Sequence, residues 1–203
     1  MMDFVIPNIY EPAKTDKVSL QANDITILVG KNGYGKSSFL HGVEETFKND
    51  NSVIVVSWSD NQHGRGNGLS ELFWKDDLEG VAAMSFRSEG QIMLESFGRF
   101  FMQRAGTAVR HREESQNTMF LLIDQLDSGL DSHQINDIKR AIRDTIIPDM
   151  NSKGMTVYCI MAANSYELVM GEDCLDPITR KHHKFKTIRS YMNYINRQYK
   201  DDD

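Results

Sequence analysis

The chain has 203 residues, of which 40% are hydrophobic and 26% charged, the ordinary balance of one globular domain able to bury its own core. A net charge of −6 makes the whole surface a poor match for nucleic acid, so any site for a polyanion has to be local. Two cysteines, Cys159 and Cys174, and six scattered histidines supply neither a disulfide framework nor zinc-ligand spacing, and no apolar run approaches the ~20 residues a membrane span needs. Met1 to Ile9 has neither a basic start nor a long apolar stretch, so no signal peptide is expected. A soluble protein in the reducing cytoplasm is the expectation.

In chain order, Val18 to Leu20 and Ile25 to Val29 read as strands. Gly30-Lys31-Asn32-Gly33-Tyr34-Gly35-Lys36-Ser37 follows at once and fits G-x-x-x-x-G-K-[ST]. The chemistry explains each letter. Glycines let successive N–H groups turn toward phosphate oxygens, Lys36 brings a cation to the β- and γ-phosphates, and the Ser37 hydroxyl suits Mg²⁺. The positive end of the helix that begins near Ser37 adds to this, and Ser38 belongs to the same cradle. Phe39, Leu40, Val43 and Phe47 share one face of that helix. A buried strand before the loop and an amphipathic helix after it are the setting a phosphate loop requires, against a glycine turn that binds nothing.

Val53 to Val56 is the next strand, followed by a glycine-rich loop from His63 to Gly68. Met93, Phe97, Phe100 and Phe101 have the spacing of a second helix, and polar Arg104 to Asn117 reads as a loop. Phe120 to Ile123 is an apolar strand ending in Asp124, a carboxylate placed to hold Mg²⁺ beside a phosphate loop. Ile135, Ile138, Ala141, Ile142 and Ile146 mark a third helix, started by Asp131 or Ser132 and stopped by Pro148. Val157 to Ala162 is the last core strand. The strands from Ile25 onward are runs of apolar, often β-branched residues without polar alternation, as in parallel strands covered on both faces. The fold class is therefore α/β: a sheet of mostly parallel strands flanked by helices.

The chain resembles ATP-binding-cassette (ABC) type P-loop ATPases over nearly its whole length. Asn32 and Gly33 match the family's G-x-N-G-x-G-K-S, Asp124 its Walker B aspartate, and Ser128-Gly129-Leu130-Asp131 its D-loop. Arg87-Ser88-Glu89-Gly90-Gln91 resembles a degraded signature motif, although Ser88 and Gln91 also read as a helix capping box. The resemblance implies that Ser88 and Gly90 touch the γ-phosphate held by an opposite subunit, so that two Mg-ATP would lie between two chains with Asp131 at the same interface. It implies a nucleotide contact for Gly30, Asn32, Gly33, Gly35, Lys36, Ser37 and Ser38, and metal contacts for Ser37, Asp124 and Gln62. Tyr10 lies where an adenine-stacking aromatic is expected, or is a core tyrosine. Gln62 is the Q-loop glutamine, or a polar loop residue. The implied whole is one P-loop NTPase domain spanning 1–203, with a short signature-bearing helical lobe over about 62–117 and a basic C-terminal segment over 178–203.

Two departures bear on chemistry. Gln125 occupies the place of the general-base glutamate, and an amide can orient a water without taking its proton. The substitution is either native or introduced. Asn164 stands where the family has a switch histidine, and cannot carry a proton charge, or is an ordinary strand-end turn. Together they imply that ATP binds without efficient turnover.

The short spacing between Lys36 and Gln91 suits the compact, non-transport branch, which includes SMC and recombination-repair ATPases and small ATPases of bacterial and phage defence loci. The absence of sustained heptads implies a homodimerising engine whose effector lies on another chain. Arg180, Lys181, Lys184, Lys186 and Arg189 crowd together before Tyr191, Tyr194 and Tyr199; 180–189 is either a nucleic-acid or partner surface or a solvated strand with a packing helix. Arg110, His111 and Arg112 are solvated, or meet a phosphate or a partner. Three functions compete: an ABC-type ATPase that closes on ATP and drives or gates an effector, a nucleotide-sensing clamp that does not hydrolyse, and a P-loop kinase, which leaves the Ser88 and Ser128 motifs idle.

Overall fold

The computed structural model describes residues 2–6, 17–59, 97–126 and 130–200. The expectations for Tyr10, Gln62, the 63–68 loop, Ser88, Gly90, Gln91, Ser128 and Gly129 lie outside the described residues.

The first strands, β1 (Met2–Val5) and β2 (Lys17–Leu20), form a two-stranded antiparallel sheet with Met2 opposite Leu20. The main sheet, of six strands among the described residues, is built from β3 (Asp24–Leu28), β4 (Val53–Ser59), β5 (Thr118–Asp124), β6 (Thr156–Ala162), β7 (Asp173–Leu175) and β8 (His182–His183). Their spatial order is β4-β5-β6-β3-β7-β8, with every pairing parallel except the last. Helix α1 (Lys36–Phe47) connects β3 to β4.

The apolar runs expected to be covered on both faces are covered on both faces. Alternate residues of a strand point to opposite sides, so Met119, Leu121 and Ile123 of β5 enter one core with Ile25 and Ile27. Phe120 and Leu122 enter the other, beneath Phe39, Leu40 and Val43 of α1 and Val18 and Leu20 of β2. The expected face of α1 is thus the buried one. On this side Phe4 packs edge-on against Phe47, Phe120 and Tyr158, which joins the small sheet to the large one.

Two stretches correct the sequence expectation. Arg104 to Asn117 is not a loop throughout: residues 97–100 are helical, a π-helical turn spans Phe101–Ala105, and α2 (Gly106–Arg110) follows. Phe97, Phe101, Ala105 and Val109 are buried at four-residue intervals, so the apolar face continues under a polar exterior. This described part of the expected helical lobe packs on the main core, with Phe97 5.6 Å from Trp58 of β4.

Nor does Pro148 end the third helix. Helix α3 (Ser132–Ala141) passes through a π-helical turn (Ile142–Ile146) into α4 (Ile147–Ser152), which contains the proline in its first turn. A proline ring clashes with the carbonyl four residues earlier, and the wider turn over Ile142–Ile146 is where that carbonyl lies. Helix α5 (Tyr166–Val169) is a single turn and α6 (Ile188–Lys200) closes the described chain. Among the described residues no helix is long and apolar enough to cross a membrane.

Candidate functional site

Strand order alone assembles the site. β5, β6 and β3 are neighbours and run parallel, so the segments leaving their carboxyl ends emerge side by side. These are Asp124 and Gln125 after β5, Ala163 and Asn164 after β6, and the glycine loop after β3. The Ala163 N–H donates to the Leu28 carbonyl (3.1 Å), which carries the β6–β3 register into the loops. Such a crevice beyond the carboxyl ends of parallel strands is where open α/β sheets take their ligands.

A cleft of about 370 Å³ opens there, lined by Asn32, Gly33, Tyr34, Gly35, Lys36, Ser37, Ser38, Asp124, Gln125 and Asn164. Nine of these are residues expected from the sequence; the tenth, Tyr34, stands at an unspecified position of G-x-x-x-x-G-K-[ST]. Gly30 lies at the root of the loop. A Cβ there would stand 2.4 Å from Tyr34 Cδ1 and 2.9 Å from its Cγ, so the ring closes down on a position that only glycine can hold.

The helix start is built to receive an anion. Gly35 precedes α1 in the left-handed conformation (φ 81°) and no side chain caps the helix. The first N–H groups of a helix have no partner within it, and the residues carrying them, Lys36, Ser37 and Ser38, line the cleft. Helix α3 is the contrast. Asp131 caps it by accepting from the Gln134 N–H (2.9 Å), while Gln134 Oε1 accepts from the Asp131 N–H (3.0 Å). Asp131 is thus exposed at a capped helix start and does not line the cleft.

Lys36 is buried to 7% exposure, and its Nζ donates to the Gly30 (2.7 Å) and Lys31 (3.1 Å) carbonyls of its own loop. Gln125 adopts φ 57°, a left-handed backbone that costs a residue with a Cβ about 1–2 kcal/mol. Such strain concentrates at functional sites, and this one directly follows the candidate metal ligand.

A second cleft, about 150 Å³, adjoins the first; Ser37 and Asp124 line both, and Leu40, His41, Glu44, Ser57, Trp58, Ser59 and Leu122 complete its walls. A hydroxyl and a carboxylate at a shared wall are the hard oxygen donors that Mg²⁺ takes, with water and phosphate filling its remaining positions. The donor set therefore fits the expected metal. Lys36 is the cation of the cleft, Asp124 its carboxylate, and Gln125 and Asn164 are amides that donate and accept without changing charge.

No family model and no curated protein matches the sequence. Among solved structures, the chain is similar to the ADP conformation of MJ1267, an ATP-binding cassette of an ABC transporter, at 12% identity and a TM-score of 0.52, over 98% of this chain and 99% of that one. The chain has the ATP-binding-cassette fold. A nucleotide-free ATP-binding cassette from an ABC transporter is also similar, at 14% identity and a TM-score of 0.46, over 93% and 90% of the two chains. The cassette sheet carries the phosphate loop, Asp124 and Asn164 on three adjacent strands, and its outer parts differ in what they leave for a ligand. C-terminal to the basic 180–189 segment, Tyr191 is buried and Tyr194 is half-buried against the core. Arg180 lies over the Phe39 ring at 4.4 Å.

Proposed function

We propose that the chain is an ABC-type ATPase subunit that dimerises around two Mg-ATP and drives or gates an effector on another chain. The observation that carries this is the single cleft uniting Lys36, Ser37, Asp124, Gln125 and Asn164 with an uncapped helix start. Its backbone donors and Lys36 suit a polyphosphate, and Ser37 and Asp124 suit the accompanying Mg²⁺, which would neutralise phosphate charge as it develops. Ser88 and Gly90, with Asp131, are assigned to the neighbouring subunit's nucleotide by the signature and D-loop resemblance. The short stretch from Lys36 to Gln91 favours the compact non-transport form.

Hydrolysis is slow in this chain. Gln125 can hold an attacking water but cannot accept its proton at neutral pH, and Asn164 cannot relay one. Those two amides also favour a second function, a nucleotide-sensing clamp whose output is dimerisation alone. Steady-state ATP hydrolysis of this chain beside Gln125→Glu decides between them. Turnover restored by Glu, by about 100-fold or more as expected for a general base, marks an ATPase held in its bound state. Tight ATP binding without turnover in either chain marks the clamp. Failure of both to bind Mg-ATP rejects the proposal.

A further inference from the structure

Helix α6 carries a buried glutamine where an apolar residue is expected. Tyr191 and Ile195 are buried in the main core, and Gln198, on the same face, is 6% exposed. Buried glutamines are uncommon because their amide needs partners. The partner of its side-chain oxygen is the phosphate loop, 167 positions away in sequence. Gln198 Oε1 accepts from the Lys31 N–H at 2.9 Å, and the Gln198 carbonyl accepts from Lys31 Nζ at 2.9 Å. The Lys31 carbonyl in turn accepts from Lys36 Nζ (3.1 Å) and from the Tyr34 N–H (3.1 Å). The Gly30 carbonyl, which shares a peptide unit with the Lys31 N–H, also accepts from Lys36 Nζ (2.7 Å), so this stretch of backbone joins the C-terminal helix to the lysine of the nucleotide site.

The helix is itself fixed one turn earlier. Tyr194 donates to Asp176 Oδ2 (2.6 Å), and Asp176 Oδ1 accepts from the Ile178 and Thr179 N–H groups (2.8 Å each). Burial, and this bond to Asp176, push the Tyr194 hydroxyl well above the ordinary tyrosine range, so it remains a donor at every physiological pH. The chain of contacts runs from the β7–β8 turn through Tyr194 and Gln198 to Lys31 and Lys36.

We infer that Gln198 is a positioning residue for phosphate binding, acting through the Lys31 peptide. The inference rests on the nucleotide-binding function proposed above. A loop with glycines at 30, 33 and 35 has unusual conformational freedom, and a ligand that must order it binds more weakly. Gln198 removes part of that cost before the ligand arrives. It holds the rim of the loop from outside the cleft, leaving the inward-facing donors to the phosphates.

The test is calorimetric binding of Mg-ATP and Mg-ADP to the full chain and to Lys36→Ala, Gln198→Met and Gln198→Glu, with Tm recorded for each. Gln198→Met keeps the length and apolar packing but removes the acceptor; it raises both dissociation constants about 2- to 10-fold, the range set by one hydrogen bond. Gln198→Glu restores an acceptor for the Lys31 N–H and recovers most of that loss. Equal affinity in Gln198→Met, while Lys36→Ala loses binding, overturns the positioning role and leaves the nucleotide site standing. A loss in Gln198→Met that follows a fall in Tm and is not recovered by Glu also overturns it, in favour of a packing role. Absence of binding by the unsubstituted chain overturns both. If Gln198→Met does not fold, amide exchange of Lys31 in the unsubstituted chain decides: slow exchange is expected, and exchange at the rate of an open loop overturns the inference.

Discussion

The two ends of the parallel sheet handle buried charge in opposite ways. At the amino end, Lys139 pairs with Glu172 at 2.7 Å, both nearly inaccessible, and its Nζ also lies 3.2–3.4 Å from the Glu167, Leu168 and Met170 carbonyls. Arg143 bridges the same Glu172 to Asp24 of β3, and the bond to Glu172 raises its already high pKa further. At the carboxyl end the buried Lys36 rests on loop carbonyls, and Asp124, Gln125 and Asn164 line an open cleft. A full carboxylate holds a lysine more firmly than peptide dipoles do, and a polyphosphate competes well with dipoles. Charge is paired with carboxylates at one end and rests on peptide carbonyls beside an open cleft at the other.

If this division holds, stability and nucleotide affinity separate by mutation. The largest effect belongs to Glu172→Ala, which strands two buried or half-buried cations. It costs about 3–5 kcal/mol by urea denaturation, while Mg-ATP affinity of the folded fraction stays within about 2-fold. Loss of affinity matching that of Lys36→Ala would show that the two ends are not independent. Lys36→Ala reverses the pattern. Its Mg-ATP affinity falls about 100-fold, the value of charge-assisted bonds to phosphate, with little change in the urea midpoint. Near-normal binding would reject the site.

The smallest effect concerns pH. His183, stacked on Phe185 and 4.8 Å from the Tyr194 ring, has its pKa lowered chiefly by burial. As pH falls below about 6.5 the unfolded chain binds this proton before the folded chain does. Stability therefore declines from that pH downward until the folded-state pKa is passed, and His183 contributes no slope above it. His183→Phe flattens that part of a stability-against-pH curve; an unchanged curve would assign the decline to other groups.

Much of this was legible in the residues. The runs Ile25–Val29, Phe120–Ile123 and Val157–Ala162 announce strands covered on both faces because nearly every position is apolar there, Thr26 being the buried polar exception in the first run. The phosphate loop is contiguous, so its glycines, Lys36 and Ser37 are read from one stretch of chain. β1, β7 and β8 escaped notice because strands of two to four residues carry too little pattern, and their partners lie far off, as with Thr26 beside Asp173. The helix through 104–110 was hidden because only Ala105 and Val109 continue its apolar face. Pro148 misled because the wide turn before it leaves no mark in composition.

The sequence by itself determined which residues could bind a phosphate and a divalent cation, since that depends on residue type and local spacing. The order of the strands decided the rest. It set Asp124 and Asn164 at the ends of adjacent strands, with the strand that leads into the glycine loop next in order, and it brought Gln198 to Lys31. Contacts between segments so distant in the chain depend on how the whole core packs, and no local pattern records them.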